Sequence, residues 1–299
     1  MTTNTSVCGQ AREKTRAKRA MAQVVSFLAL RSAAAVNCAA LVIACVFLFI
    51  NGVGVLGPGF VFDSPREMMT EGGVFPCLLG TFLLAAGAIL IALPFGVACA
   101  VWLNEYGKQG PVVDIVRLSV ANLAGVPSIV FGLFGLAFFV TALGFNVSLL
   151  SGILTLAVLT LPVIINTTEE ALKQVPRAWR EASLALGATK SQTIGRVVLP
   201  AALPGILTGA ILAVARAAGE TSAVMFTAAV FYTPKLPESV WSSVMALPYH
   251  MYVLATAGTE IEKTRPMQYG TGLLLVLLVF AMNLAAILIR DRMQKKRLA

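Results

Sequence analysis

Long apolar runs separated by short polar stretches dominate this chain. A helix rises about 1.5 Å per residue, so about 20 apolar residues are needed to cross roughly 30 Å of hydrocarbon. Six runs reach that length, and the pattern predicts an all-α membrane protein with six transmembrane helices. We place these helices at residues 32–55, 75–103, 115–143, 149–168, 199–228 and 270–289.

The third run carries polar and small residues where a transmembrane helix is usually apolar. It contains Asn122 and the sequence GVPSIVFGLFG, in which Gly125, Pro127 and Ser128 lie close together. These residues predict a break in the helix near the middle of the membrane. Irregular backbone at that depth is tolerated where protein or a water-filled cavity covers it, so the run is a candidate lining for a translocation path. A proline kink between close-packed small residues explains the pattern equally well.

The stretch between the fourth and fifth runs is polar and contains residues that typically begin and end two helices. The residue before a proline avoids helical backbone, whereas proline suits the first helical position, so Val175 and Pro176 predict a helix boundary. Gly187 predicts the end of a short helix, and Thr189 predicts the cap of a second helix that runs until Pro200. The stretch therefore predicts a stiff polar elbow made of a short helix, a tight turn and another helix.

Composition and charge agree with a membrane protein and give it an orientation. Hydrophobic residues make up 58% of the 299 residues and charged residues only 12%, whereas an ordinary soluble domain is roughly 25% charged. Of 23 Lys and Arg residues, 18 lie in the two termini, the stretch around Lys108 and Arg117, and the elbow, and four lie in the alternate loops. Basic residues concentrate on the cytoplasmic side, so the termini and the elbow are predicted to be cytoplasmic. The net charge of +9 belongs to membrane flanks and does not indicate nucleic-acid binding.

Several kinds of active site are excluded by what the sequence lacks. It has no G-x-x-x-x-G-K-[ST] motif, so it contains no P-loop for ATP. Its single histidine, His250, and its odd number of five cysteines provide neither a Ser/His/Asp set nor a zinc or disulfide pattern. We therefore expect no enzymatic activity and no cofactor bound by this chain, and we expect ATP and Mg to be bound by a partner subunit.

The segment at 181–200 reads EASLALGATKSQTIGRVVLP and resembles the EAA loop of ABC importer permeases. That loop has Glu-Ala-Ala, three further residues, Gly, and a closing Leu-Pro, and here Ser183 replaces the second alanine. The matching residues are Glu181, Ala182, Gly187, Ala188, Leu199 and Pro200. The resemblance implies a type I ABC importer permease fold with a cytoplasmic coupling helix that docks in a groove of an ATPase subunit.

A second segment, RAAGETSAVMFTAAVFY, looks like the signature of phosphate-specific permeases. It contains Arg216, Glu220 and Thr221, although Ser222 and Ala223 stand where many relatives have Ala-Pro. The runs NTTEEALKQVP and MALPYHMYVLATAG resemble the PstA-type subunit of these transporters. The resemblance implies an inner-membrane importer of inorganic phosphate. Its implied partners are a PstC-type permease subunit, a dimer of ATPase subunits and an external phosphate-binding protein.

Arg216 and Glu220 are the obvious charged residues at membrane depth in the predicted fifth helix. Their i, i+4 spacing places both on one helical face, where a structural ion pair is one interpretation. Under the resemblance, Arg216 instead lowers the barrier for an anion, because a guanidinium matches phosphate oxygens, and Glu220 holds it in place. Together with Thr221, Asn122 and Ser128, these residues form the predicted translocation path.

Two alternative functions stay open at this point. An ABC permease for sulfate, molybdate or phosphonate would share the elbow, which identifies the class of transporter and not the cargo. An ATP-independent secondary transporter would use Arg216 and Glu220 for proton or ion movement. Such a transporter has no need of a docking helix with this spacing, so the elbow favours the ABC class.

The chain divides into four predicted parts. A basic cytoplasmic tail at 1–31 precedes a first transmembrane helix with its external loop at 32–74. The ABC importer transmembrane domain occupies 75–290, with five helices and the coupling loop at 176–200, and a second basic cytoplasmic tail lies at 291–299. The family resemblance covers the third of these parts.

Overall fold

A computed structural model describes residues 4–69, 71–108, 110–257 and 261–298, and these residues are mostly helical. Residues 1–3 of the predicted N-terminal tail and residue 299 of the predicted C-terminal tail lie outside the described residues. The α-helices are α1 (Asn4–Gly52), α2 (Pro58–Phe62), α3 (Phe75–Val101), α4 (Pro111–Gly125), α5 (Ser128–Gly135), α6 (Leu149–Gln174), α7 (Arg177–Ala185), α8 (Lys190–Thr193), α9 (Leu199–Ala218), α10 (Ser222–Thr227), α11 (Leu247–Thr256) and α12 (Ile261–Leu298).

Short irregular helices and one small sheet complete the secondary structure. Wider π-type turns extend α3 at Trp102–Tyr106, extend α5 at Leu136–Ala142 and join α8 to α9 at Ile194–Val198. Single 3₁₀ turns lie at Val53–Val55 and Glu67–Met69. Strands β1 (Pro65–Arg66) and β2 (Glu71–Gly72) pair antiparallel in the first external loop, with Pro65 opposite Gly72.

The chain forms two compact units, residues 1–51 and 52–299. The first unit is the helix α1, which begins at Asn4 and therefore starts well before the predicted position at residue 32. The helix extends this far because residues 4–31 contain no proline that would end it. The second unit contains the other helices and the small sheet.

Within the described residues, five helical segments are long and apolar enough to cross a membrane. They are Gln23–Val55, Phe75–Tyr106, Leu149–Gln174, Lys190–Ala218 and Thr264–Met293. A sixth apolar segment consists of two helices, Pro111–Gly125 and Ser128–Ala142, which meet at an angle of 104°. The predicted break at residues 125–128 is thus confirmed, and it separates two helices instead of kinking one.

The packing of α3 against α6 shows that this bent segment makes one crossing. Gly87 faces Ile153, and farther along both helices Gly96 faces Ile164. The partners advance in the same direction, so α3 and α6 are parallel. The end of α3 and the start of α6 therefore lie at opposite ends of the protein, and the chain between them traverses its full thickness. With this crossing, the predicted six transmembrane segments are confirmed.

Small residues bring the central helices of the second unit close together. On α9, Gly209 faces Thr167 and Gly205 faces Ala171 of α6, with no room for a Cβ at either glycine. These contacts run in opposite directions along the two helices, so α9 is antiparallel to α6. Helices α3, α6 and α9 form the packed centre of the second unit.

The helix after the polar elbow does not end at Pro200, contrary to the prediction. It runs from Lys190 to Ala218. A proline ring clashes with the carbonyl four residues earlier in a regular α-helix. Here the preceding turn is of the π type and the N–H of Leu199 donates to the oxygen of Ile194, so the wider turn accommodates the proline at the start of α9.

The predicted fifth helix at 199–228 is interrupted. α9 ends at Ala218, and the chain restarts as the short helix α10 at Ser222. The Oε1 of Glu220 accepts hydrogen bonds from the N–H groups of Ser222 and Ala223, at 3.1 and 3.4 Å. A carboxylate at this position satisfies N–H groups that have no partner within the helix. The start of α10 is therefore explained by a neighbouring residue in the sequence, Glu220.

The predicted external connection between the fifth and sixth crossings folds back onto α3. The N–H of Leu247 donates to Thr81 Oγ1 at 2.8 Å, and Met245 packs against Gly80. Met245 and Leu247 are both buried. The connection is thus anchored to the outer half of α3. It contains α11, which follows α10 and precedes α12 in the sequence.

Candidate functional site

The turn of the elbow is built by residues with distinct backbone roles. Gly187 has a φ of +84°, a left-handed conformation that glycine adopts without a Cβ penalty. Its N–H donates to the oxygen of Leu184 at 3.0 Å, which closes the end of α7. Thr189 and Gln192 form a reciprocal capping box at the start of α8. The predicted helix stop and helix cap are both confirmed.

The elbow presents apolar side chains to its surroundings. Leu186 is 89% exposed, and Trp179 and Leu184 are also exposed. Glu181 and Ala182 lie on the same exposed helix, and Ala188 is half-buried just beyond the turn. An exposed apolar cluster on a rigid, otherwise polar helix is a surface suited to a partner protein. Trp179, Leu184 and Leu186 were not predicted to form this surface, although the seven-residue spacing of Trp179 and Leu186, which places both on one helical face, was readable in the sequence.

Leu199 and Pro200, the last two residues of the EAA-like pattern, lie elsewhere. Both are half-buried in the first turn of α9, where Leu199 packs against the apolar cluster formed by α3, α4 and α6. They therefore fix how the elbow continues into the fifth crossing. They do not contribute to its exposed face.

The structure brings two of the predicted path segments together. Gly132 on α5 faces the backbone of Ser222 and Ala223 and the ring of Phe226, so α5 packs directly on α10. Ser128 begins α5, and Thr221 precedes α10. Two interrupted helices therefore restart side by side. Irregular backbone of this kind is tolerated at membrane depth where it is covered by protein or lines a cavity.

The expected contact between Arg216 and Glu220 is not formed. Glu220 lies beyond the end of α9 and caps α10, so the i, i+4 geometry of a continuous helix does not apply. Arg216 is half-buried two residues before the end of α9, and no ion pair or hydrogen bond joins its side chain to another described residue. A structural ion pair thus does not account for this arginine.

Asn122 stands apart from the other predicted path residues. It is exposed on α4, on the inner side of the break. Among the described residues, no hydrogen bond joins its side chain to Arg216, Glu220 or Thr221. Its predicted role in the path is therefore not supported by a contact within this chain.

An ionic cluster at the inner ends of α4 and α6 was missed from the sequence. The buried carboxylate of Glu169 accepts from Arg117 Nη2 at 2.8 Å and lies 2.9 Å from Lys173 Nζ. The three charges line a cavity of about 230 Å³ together with Asn166 and apolar neighbours. The i, i+4 spacing of Glu169 and Lys173 was a readable signal. The contact with Arg117 was not, because 52 residues separate it from Glu169.

A family model described as binding-protein-dependent transport system inner membrane component matches residues 92–298. The chain belongs to this family. It is thus a multi-pass permease of the inner membrane. Members work with an ATPase and a substrate-binding protein, so both kinds of partner are implied for this subunit.

Individual relatives agree with this membership. A probable ABC transporter permease, YqgI of Bacillus subtilis, is 35% identical over 266 residues, which are 83% of this chain and 90% of that protein. The phosphate transport system permease protein PstA 1 of Mycobacterium tuberculosis (strain CDC 1551 / Oshkosh) is 40% identical over 243 residues, which are 80% of this chain and 78% of that protein. The resemblance predicted from the EAA-like and RAAGET segments is confirmed.

Solved structures support the same fold. The inward-facing MetNI methionine ABC transporter aligns with a TM-score of 0.56 and 25% identity, over 74% of this chain and 94% of that chain. A bacterial ABC transporter that imports the acidic polysaccharide alginate aligns with a TM-score of 0.56 at 14% identity, over 76% and 80% of the two chains, and this likeness concerns the fold alone. The predicted type I ABC importer permease fold is confirmed.

Proposed function

We propose that this chain is the PstA-type permease subunit of an ATP-driven, binding-protein-dependent importer of inorganic phosphate. It forms the translocation path with a PstC-type permease subunit. A dimer of ATPase subunits on the cytoplasmic side binds ATP and Mg, and a phosphate-binding protein delivers the anion from outside. The chain itself binds no cofactor and has no ATPase activity, and both termini are cytoplasmic.

The main support for phosphate as the cargo is the similarity to phosphate permeases over most of the chain. PstA 1 of Mycobacterium tuberculosis is 40% identical, and PstA of Yersinia pestis is 34% identical over 76% of this chain. The methionine transporter of similar fold is only 25% identical. A cation suited to an oxyanion supports the same cargo, because the half-buried guanidinium of Arg216 has donors that match phosphate oxygens.

The elbow supports the dependence on ATP. Its first helix, α7, is held in direction by the turn at Gly187 and exposes Trp179 and Leu186. A helix with an apolar face that docks in a groove is a common form of protein recognition. The ATPase subunit is the proposed occupant of this contact, with Glu181, Ala182 and Ala188 as neighbouring residues.

The proposed path runs through the interrupted helices. Arg216 precedes the interruption of the fifth crossing, and Glu220 and Thr221 lie within it. Ser128 starts the helix packed against α10, and Asn122 lies on the inner half of the bent crossing. Conduction requires binding that is strong enough for entry and weak enough for release. A single arginine without a tight carboxylate partner meets that requirement better than a closed ion pair.

Uptake of labelled phosphate tests this proposal. Cells that express the importer with and without this chain are supplied with radioactive phosphate, and sulfate is added as competitor. We expect uptake that depends on the chain and on its ATPase subunit and that excess sulfate leaves unchanged. Uptake that sulfate suppresses would indicate a different oxyanion. Uptake without the ATPase subunit would indicate a secondary transporter.

A further inference from the structure

Arg180 on the elbow helix α7 points back toward the membrane-spanning helices. Its side chain is only 18% exposed. Nη1 donates to the oxygen of Val175 at 2.7 Å, and Nη2 donates to the oxygen of Leu172 at 2.9 Å. These carbonyls lie at the C-terminal end of α6, where the helix dipole favours a cation, and the oxygen of Leu172 also accepts from the N–H of Val175 at 3.3 Å. Arg180 thereby ties α7 to the inner end of α6.

The same guanidinium reaches the inner end of α3. Nε and Nη2 of Arg180 both donate to Glu105 Oε1, at 3.2 and 2.8 Å. Glu105 lies in the π-type extension of α3, its side chain is 9% exposed, and Asn104 Nδ2 donates to the same oxygen at 2.8 Å. Most of this charged pair is removed from solvent, so loss of one partner leaves the other charge without compensation.

A second contact holds α3 from the other arm of the elbow. Lys190, at the start of α8, lies over the ring of Tyr106 at 5.0 Å from its centroid. The hydroxyls of Ser183 on α7 and Thr193 on α8 are 2.9 Å apart and hydrogen-bonded, so the two arms are also joined to each other. The inner end of α3 therefore contacts both arms of the elbow, α7 through Glu105 and α8 through Tyr106.

The outer half of α3 contacts the proposed path. Ala85 is fully buried against Ala217 and Ala218, the residues that follow Arg216 on α9. Between Ala85 and Glu105 the chain is continuously helical, which spans about 30 Å at 1.5 Å per residue. One continuous helical element, with Pro94 within it, thus connects the elbow to the segment that contains Arg216.

We propose that Glu105 and Arg180 are positioning residues that transmit movement of the coupling helix α7 to α3, and through α3 to the path segment around Arg216. This inference rests on the proposed importer function. Without the link, α7 keeps the short turn at Val175–Pro176 and its contacts with α8 and with the π-type turn at Ile194–Val198, none of which includes α3. A docked ATPase would then move α7 without moving α3 to the same extent.

The test uses the complete importer, reconstituted in proteoliposomes with its partner permease, ATPase and phosphate-binding protein. The decisive variant combines Arg180→Met with Glu105→Gln, because removing both charges leaves neither one buried alone. The quantity measured is phosphate taken up per ATP hydrolysed. We expect the variant to assemble and to hydrolyse ATP, while this ratio falls about tenfold, the factor that corresponds to one charge-assisted hydrogen bond.

Two further variants make the result specific. Arg66→Met removes an exposed arginine from the first external loop, away from the coupling loop, and is expected to leave the ratio unchanged. Arg180→Lys keeps the charge but lacks the planar fork that spans both helix ends, so we expect a reduced ratio even if the double variant does not assemble.

Opposite outcomes separate this inference from the proposed function. A normal ratio in an assembled double variant, or in Arg180→Lys if the double variant does not assemble, would overturn the link, and so would an equal loss in Arg66→Met. Absence of ATP-dependent phosphate uptake by the unsubstituted importer would instead contradict the proposed function.

Discussion

Substitution of Arg216 is the most direct test of the proposed translocation path. A charge in a membrane helix is unfavourable, by about 2.5–3.5 kcal/mol at the helix centre on insertion scales, and Arg216 lies in the last turn of α9. Within the described residues no carboxylate compensates Arg216. We expect Arg216→Gln to lower phosphate uptake by about tenfold or more, since the anion loses its charge-assisted contact. We expect Arg216→Lys to retain part of the uptake, because it keeps the charge and loses the fork. Uptake is measured per amount of assembled importer.

A neutralised arginine outside the path serves as the control for that variant. Arg66 is exposed on β1 in the first external loop, and Arg66→Gln removes the same charge without touching the crossings. Its uptake should match that of the unsubstituted chain. Near-normal uptake by a well-assembled Arg216→Gln importer would remove this arginine from the path. Loss of assembled protein in that variant would assign it a structural role.

The burial of His250 predicts that the folding stability of this chain depends on pH. It lies in α11, outside the crossings, is 2% exposed, and its Nδ1 has no hydrogen-bond partner among the described residues. Burial lowers the pKa of His250 from 6.5 to about 4. The unfolded chain therefore binds a proton below pH 6.5 that the folded chain does not take up until about pH 4. Folding stability is lost as the pH falls through this window, by about 2 kcal/mol at pH 5.

Thermal unfolding of the purified subunit at pH 7 and pH 5 measures this effect. His250→Phe keeps a planar ring and has no titrating group, so the difference between its two unfolding temperatures should be smaller than in the unsubstituted chain. His250→Phe also removes the unpaired buried nitrogen, which favours the variant at both pH values. An identical pH difference in the two proteins would show that His250 does not titrate in this way.

At the scale of elements, the elbow turn depends on a single backbone conformation. A Cβ at Gly187 would meet no atom within 4 Å, so space is available there and only the φ of +84° resists substitution. A β-branched residue is disfavoured in this region by roughly 1–2 kcal/mol. We expect Gly187→Val to tilt α7 and to weaken binding of the ATPase about tenfold, while the subunit still inserts in the membrane. Co-purification of the ATPase with the subunit measures the effect.

Gly195 provides a matched control on the second arm of the elbow. A Cβ there also meets nothing within 4 Å, and Gly195 is not among the residues with positive φ. Gly195→Val therefore adds the same side chain without the same backbone conflict. Equal loss of the ATPase in both variants would attribute the effect to bulk at the docking surface. Full retention in Gly187→Val would show that the turn does not set the docking direction.

The elements that sequence predicted well are those decided by neighbouring residues. Gly187 ends α7 and Thr189 caps α8 because each acts through its own backbone or through a residue three positions away. The continuation through Pro200 was not predicted, because it depends on the π-type turn before it. The end of α9 at Ala218 was also missed, since the apolar run continues beyond it while the Glu220 side chain caps a new helix.

At the scale of the whole molecule, the contacts between segments that are distant in sequence are the features that could not be predicted from the sequence. The spans follow from the length of the apolar runs, and the family follows from the EAA-like and RAAGET segments. The pairs that hold the inner ends of the helices join residues 52 and 75 positions apart, Arg117 with Glu169 and Glu105 with Arg180. Such pairs have no spacing rule: the packing of α4 on α6 brings Arg117 to Glu169, and the parallel packing of α3 and α6 brings Glu105 to Arg180.

That packing also fixes the expected topology, which chemical labelling tests. Single cysteines are introduced in a chain that lacks its five native ones, by Lys108→Cys, Leu143→Cys, Ser191→Cys and Ser239→Cys, all at exposed positions. If the bent pair α4 and α5 makes one crossing, residues 108 and 191 label from the cytoplasmic side and residues 143 and 239 from the outside.

Position 143 is the decisive one in this set. A re-entrant pair would return the chain to the side on which it entered, so residues 108 and 143 would label together. The parallel contacts of Gly87 with Ile153 and of Gly96 with Ile164 would then be impossible in the membrane, because α6 would have to start beside the end of α3. Labelling of residue 143 from the cytoplasm would therefore contradict both the six crossings and the role of α3 as the element that joins the elbow to the path.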